Sequence, residues 1–419
     1  MYISSRVLWL ALAAFALSAA VVPALAQDAP GRFADRRLVA LADSLAQACI
    51  LVDGHVDLPY RLKVKDFRYT KEFLGIPVES GEGDFDYVRA RAGGLDAPFM
   101  SVYIPAAEQG PNRYGGRALA DSLISLVEGV AEANPDKFAV ATHPDSVRAQ
   151  FARGVMSLPM GMENGAPLAY PEDVAHFAER GIRYVTLTHS KDNHICDSSY
   201  DTTGTWGGLS PYGSLILGEL VAHGIMIDIS HVSDSTFYQV LRRVDVPVIA
   251  SHSSLRHFTP GFERNMSDAM VAMLRDNGGV VMINFGSTFV DGRVADERQV
   301  YRDRVMAHLA ARGLAYGDED ARAVIDSIEA ADPLPFADVE IVADHIDRAV
   351  MLAGVDHVGL GSDFDGVGDS LPTGLKDVSD YPNLIYVLLD RGYSGEDIRK
   401  LLGENLLRVW DAYAARASR

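Results

Sequence analysis

The feature that most narrows the fold is a recurrence of short apolar or β-branched runs, set apart by stretches of helical periodicity. The runs fall at residues 49–52, 99–104, 155–162, 184–187, 225–229, 246–250, 280–285 and 358–360. They are continuous rather than alternating, the pattern of strands buried on both faces of a parallel sheet whose crossover helices cover it. Eight such runs alternating with helices predict an α/β fold, a closed (β/α)8 TIM barrel in preference to an open doubly wound sheet. The 419 residues suit one barrel, a fold that runs from about 200 to over 400 residues with insertions. The segment from about residue 291 to 342 is charged and of helical period, and is long for a barrel connection, so it predicts a helical insertion near the seventh strand. Near the end, Ser394 and Asp397 form a capping-box pattern ahead of Ile398, Leu401, Leu402, Leu406 and Val409, an ordinary core helix.

Arg6, the apolar run at residues 7–20 and Ala24-Leu25-Ala26 before Gln27 read as a signal peptide removed after Ala26, with an uncleaved anchor as the alternative. Residues 27–419 are then a single domain, secreted or periplasmic. Cys49 and Cys196 allow at most one internal bridge, which places the burden of stability on the core. A net charge of -19 without a basic stripe argues against nucleic acid and anionic membrane as partners. The last residues lack the apolar tail of a lipid-anchor signal, so no membrane anchor is expected after cleavage.

Chemistry enters with seven residues at or near the ends of six runs: His55 and Asp57 at one, and Glu163, His189, His231, His252 and Asp363 at one each. In a barrel the C-terminal strand ends form one face, where side chains distant in sequence meet. A His and carboxylate mixture without Cys suits a hydrolytic zinc site. His55 and Asp57, at i and i+2, lie on one side of an extended strand and can reach one metal. Glu163 sits between Gly161 and Gly165, and its two oxygens could bridge two zinc ions about 3.5–4 Å apart. His231 and His252 would complete the second metal. His189 could be a ligand, a support for a ligand or a donor to a substrate carbonyl. Asp363 could hold the attacking water and pass its proton on. Taken singly, each has an ordinary reading as a turn carboxylate or a core histidine. Their equivalent positions on successive strands carry the argument.

Together, Asp53-Gly54-His55-Val56-Asp57-Leu58-Pro59, Gly161-Met162-Glu163, Arg183 through His189, Asp228-Ile229-Ser230-His231-Val232-Ser233, Ser251-His252-Ser253-Ser254, Arg264-Asn265 and Gly361 through Gly366 resemble the membrane (renal) dipeptidase family of the amidohydrolase superfamily. The resemblance runs from about residue 49 to 410. It implies two Zn2+ per chain, one held by His55, Asp57 and Glu163 and the other by Glu163, His231 and His252, bridged by Glu163 and a hydroxide that attacks the peptide carbonyl. It further implies that His189 polarises that carbonyl, that Arg264 pairs with the substrate's C-terminal carboxylate with Asn265 beside it in the substrate site, and that Asp363 is general base and then acid. The planar fork of arginine matches a carboxylate, so the expected substrates are small dipeptides, and the resemblance implies L-D dipeptides beside L-L ones. A homodimer is implied as well.

Val56 stands where animal members usually carry Asn, Lys191 where they carry Cys, and the loop at residues 191–199 lacks their Trp. Asn193-His194-Ile195-Cys196-Asp197 instead resembles a bacterial branch, so the animal disulfides and lipid attachment are not carried over. Two alternatives keep the barrel. One is another hydrolase of the superfamily acting on a lactam, lactone or amide, and the other is a non-catalytic binding barrel.

Overall fold

The computed structural model describes residues 33–64, 78–81 and 83–417, so the signal peptide expected at residues 1–26 lies outside the described residues. Ten strands lie among the described residues: β1 (Leu51–Val56), β2 (Leu95–Tyr103), β3 (Phe138–Val140), β4 (Met156–Leu158), β5 (Met160–Glu163), β6 (Ile182–Thr186), β7 (Met226–Asp228), β8 (Ile249–Ala250), β9 (Val280–Ile283) and β10 (Val358–Leu360). Eight of them close a parallel barrel in the order β1-β2-β5-β6-β7-β8-β9-β10, and β10 returns to pair with β1 at Leu360 and Asp53. This is the (β/α)8 barrel expected from the eight runs.

One run divides. Residues 155–162 form both β4 and β5, with Pro159 between them. Proline lacks the N–H that a continuing ladder needs. β4 turns away to pair with β3 in a separate two-stranded sheet, while β5 enters the barrel between β2 and β6. Inside the barrel the Tyr184 ring lies across Gly161, where an added Cβ would sit 2.0 Å from it. Only glycine leaves that space, and the ring uses it to reach toward β1.

The expected insertion is there, with a different end. After β9, helices Gly292–Ala310 and Ala321–Ala331 pack on each other around Tyr301, Val305, Leu309 and Ala321, a cluster distinct from the main core. The next helix, Val339–Ala353, buries Val342, Ala343 and Ile346 in the main core and is the barrel's own. The insertion therefore ends before Val339 rather than at residue 342. Helical period continues through both, which hides the boundary in sequence.

The last helix, Asn405–Ala417, closes the bottom of the barrel: Trp410 packs 5.3 Å from Phe99, and the Asn405 side chain donates to the Val358 carbonyl at 2.8 Å. Cys49 and Cys196 are both buried and unpaired. Among the described residues, no helix is long and apolar enough to cross a membrane.

Candidate active site

The seven residues meet at the C-terminal mouth of the barrel. His55 is in β1 and Asp57 follows it, Glu163 ends β5, and His189, His231, His252 and Asp363 come just after β6, β7, β8 and β10. Glu163 is the hub. Its Oε2 lies 3.4 Å from His55 Nε2, and its Oε1 lies 3.1, 3.2 and 3.6 Å from the Nε2 atoms of His231, His252 and His189. Asp57 Oδ2 is 3.4 Å from the same His55 nitrogen. Three overlapping groups each gather ligand atoms within 4.8 Å: His55, Glu163 and His252; Glu163, His189 and His231; His55, Asp57 and Asp363.

This donor set fits a metal pair. His55 Nε2 and Asp57 Oδ1 are buried without a hydrogen-bond partner, and leaving such groups unsatisfied costs about 1–3 kcal/mol each. A cation between them removes that cost. Two of the histidines have their far ring nitrogen occupied: His55 Nδ1 meets the Tyr184 hydroxyl at 2.8 Å, and His252 Nδ1 meets Ser251 Oγ at 2.7 Å. Ser251 Oγ also donates to Asp228 Oδ2 at 2.6 Å, and Thr186 Oγ1 donates to the same oxygen at 2.5 Å. These bonds fix the His55 and His252 rings with Nε2 toward the centre, as supporting groups around metal ligands do.

Backbone strain concentrates here. His231, Asp363 and Asp365 have φ of 68°, 64° and 66°, a left-handed conformation that costs an L-residue about 1–2 kcal/mol. Burial first, and then the Asp57 carboxylate, push the Asp363 carboxyl up to about 8. Burial, together with His55 and Arg264, holds His252 well below the ordinary histidine range. Glu163 stays well below the usual carboxylate range despite its burial, because the His55 and His189 imidazoles face it.

A cavity of about 530 Å³ opens above these groups, walled by Tyr60, Tyr103, Tyr200, Phe289 and Arg264. The Arg264 guanidinium donates to Ser253 Oγ at 2.7 Å and to the His252 carbonyl at 2.8 Å, lies over the Phe289 ring, and keeps Nε without a partner. Asn265 corrects the sequence expectation. Its amide is spent on the Ser254 N–H, Thr259 Oγ1 and the Phe289 carbonyl, and it does not line the cavity. It shapes the loop that presents Arg264. His189 sits at the cavity edge, 4.8 Å from the Tyr103 ring, with Nδ1 unpartnered.

The aromatic wall residues were missed in sequence. Tyr103 is the last residue of β2, so the strand-end rule that found the histidines could have found it. Tyr60, Tyr200 and Phe289 lie in connecting segments where spacing carries no signal.

Residues 39–419 match the family described as membrane dipeptidase, peptidase family M19. An uncharacterized dipeptidase of Schizosaccharomyces pombe is 31% identical over 371 residues, covering 86% of this chain and 80% of its own. The probable dipeptidase PvdM from Pseudomonas aeruginosa superposes with a TM-score of 0.75 at 26% identity, over 91% of this chain and 100% of that one. A dipeptidase AC, solved as a metallo peptidase of family M19, gives a TM-score of 0.68 at 25% identity, over 87% and 98%.

Proposed function

The chain belongs to the membrane dipeptidase family, and from that premise we propose that it hydrolyses dipeptides with two zinc ions, one held by His55, Asp57 and Glu163 and the other by Glu163, His231 and His252. The observation that carries this reading is the Glu163 carboxylate, which turns one oxygen to His55 and the other to His231 and His252. A carboxylate so divided would serve as the shared ligand of a two-metal site. When bound, such ions supply Lewis acidity and bring the pKa of water toward about 7.

The chain's own groups do the rest. Asp363, steadied by the Asn284 side chain donating to its Oδ2 at 2.7 Å, takes a proton from the attacking water and delivers it to the leaving amine. Burial and the Asp57 carboxylate raise its affinity for a proton, which favours the uptake step. His189 donates to the scissile carbonyl. Arg264 pairs with the C-terminal carboxylate, so a longer peptide, with no carboxylate at that distance, is excluded. L-D dipeptides are substrates beside L-L ones. Export to a secreted or periplasmic location, read from residues 1–26, and assembly as a homodimer belong to the same proposal.

The test is zinc content per chain on purified protein, with cleavage of an L-L and L-D dipeptide panel before and after chelation. About two zinc ions and cleavage lost on chelation are expected. Cleavage that survives exhaustive chelation rejects the metal assignment, and metal without dipeptide cleavage rejects the substrate.

A further inference from the structure

The buried carboxylate of Asp365 has no part in the site described so far. The turn that carries it is pressed onto the catalytic carboxylates: a Cβ on Gly366 would fall 2.1 Å from Asp57 Oδ2 and 2.2 Å from Asp363 Oδ1. Asp365 lines the same cavity as Glu163 and Arg264, and its side chain is 1% exposed. Its two oxygens are treated unequally. Oδ1 accepts from Arg61 at 2.6 Å and from the Asp84 N–H at 2.8 Å, whereas Oδ2 is buried with no partner.

Position adds direction. Arg61 follows β1, and Asp84 lies between β1 and β2, so these contacts draw Asp365 to that side of the mouth. β2 stands four strands from β8 either way round the barrel, and Arg264 belongs to the β8–β9 connection. An extended dipeptide spans roughly 7 Å, with its carboxylate and its ammonium on opposite sides of the scissile amide. With the carboxylate at Arg264 and the carbonyl over Glu163, the ammonium points to the β1–β2 side. Asp57 and Glu163 are committed to metal and Asp363 to proton transfer. Burial, and then Asp84, push the Asp365 carboxyl up to about 7 although Arg61 pairs with its Oδ1.

We propose that the free Oδ2 of Asp365 receives the α-ammonium of the substrate, so that the site measures a dipeptide from both ends. The proposal rests on the dipeptidase reading. Asp365 would be a substrate-binding residue outside the proton path.

The experiment compares L-Ala-L-Ala with its des-amino counterpart propionyl-L-Ala as substrates of the zinc-loaded enzyme. Calorimetric affinities of a phosphinic Ala-Ala analogue with and without its amine accompany the kinetics. A charge-assisted hydrogen bond predicts a preference of about 10–100-fold for the free amine in the wild type. Asp365→Asn should erase it through KM and leave the des-amino ligands within about threefold. Asp84→Asn, which touches Asp365 but not the cavity, should keep the preference. Should Asp365→Asn fail to fold, Asp365→Glu displaces the charge and carries the same comparison. Equal losses on both ligands would make Asp365 a structural residue and overturn the proposal. So would a wild type indifferent to the amine, or a penalty confined to substrates with a lysine side chain. Failure to cleave any dipeptide would instead sink the dipeptidase reading itself.

Discussion

Four imidazoles face one carboxylate at Glu163, and the groups around that cluster divide into those that touch the reaction and those that aim the touching groups. The two kinds predict different failures. Asp363→Asn removes the proton carrier but no assigned ligand, so kcat should fall about 10²–10⁴-fold while zinc content per chain stays unchanged by atomic absorption. Asp228→Asn acts through Ser251 on His252, and should weaken zinc affinity or activity about 10–100-fold in a competitive chelator titration. At this scale the sequence was most legible where chemistry is restricted to a few residue types. The His and carboxylate set could be read because those side chains end successive strands. Asp365 could not, because Asp363 and Asp365 share one glycine-rich turn and only coordinates show which oxygen lacks a partner. Asn265 stood beside a functional arginine and was read with it, although a buried amide serves a loop equally well.

Among the elements, His345 in the helix Val339–Ala353 fastens two connections of the catalytic face. Its Nδ1 accepts from the Leu255 N–H at 3.0 Å, and its Nε2 donates to the Val290 carbonyl at 2.9 Å. That arrangement requires the neutral ring, and burial pushes its pKa down to about 4. As pH falls, the unfolded chain takes up this proton first, at about 6.5. The stability from the neutral ring is whole above about 6.5 and is lost between about 6.5 and 4, to the extent of about 3 kcal/mol. Urea midpoints across that window should slope less steeply, by one proton, in His345→Gln. The helices Gly292–Ala310 and Ala321–Ala331 hold a small cluster of their own, and few buried apolar contacts mean low local stability. Hydrogen exchange read by mass spectrometry should therefore label residues 292–331 well before β1 or β9. Element boundaries were the least legible level. Pro159 divides a run that reads as one strand, and β3, with three residues, is too short to announce itself.

For the whole molecule, the sequence was legible as a closed barrel because eight runs buried on both faces need helices around them and no open edge. The closing pair is β1 with β10, joined at Asp53 and Leu360, and a buried carboxylate secures the seam: Asp53 accepts from the Ser362 N–H at 3.1 Å and from the Tyr381 hydroxyl. His55 thus belongs to the first strand of the barrel, with Asp57 just after it, and Asp363 to the segment after the last. A ribosome must have passed residue 363 before these groups can stand together, and Tyr381 must have emerged before the seam is fastened. Every nascent chain that stops short of residue 363 holds at most part of the site, so hydrolytic competence arrives in one step and no such partial product can act on peptides where it was made.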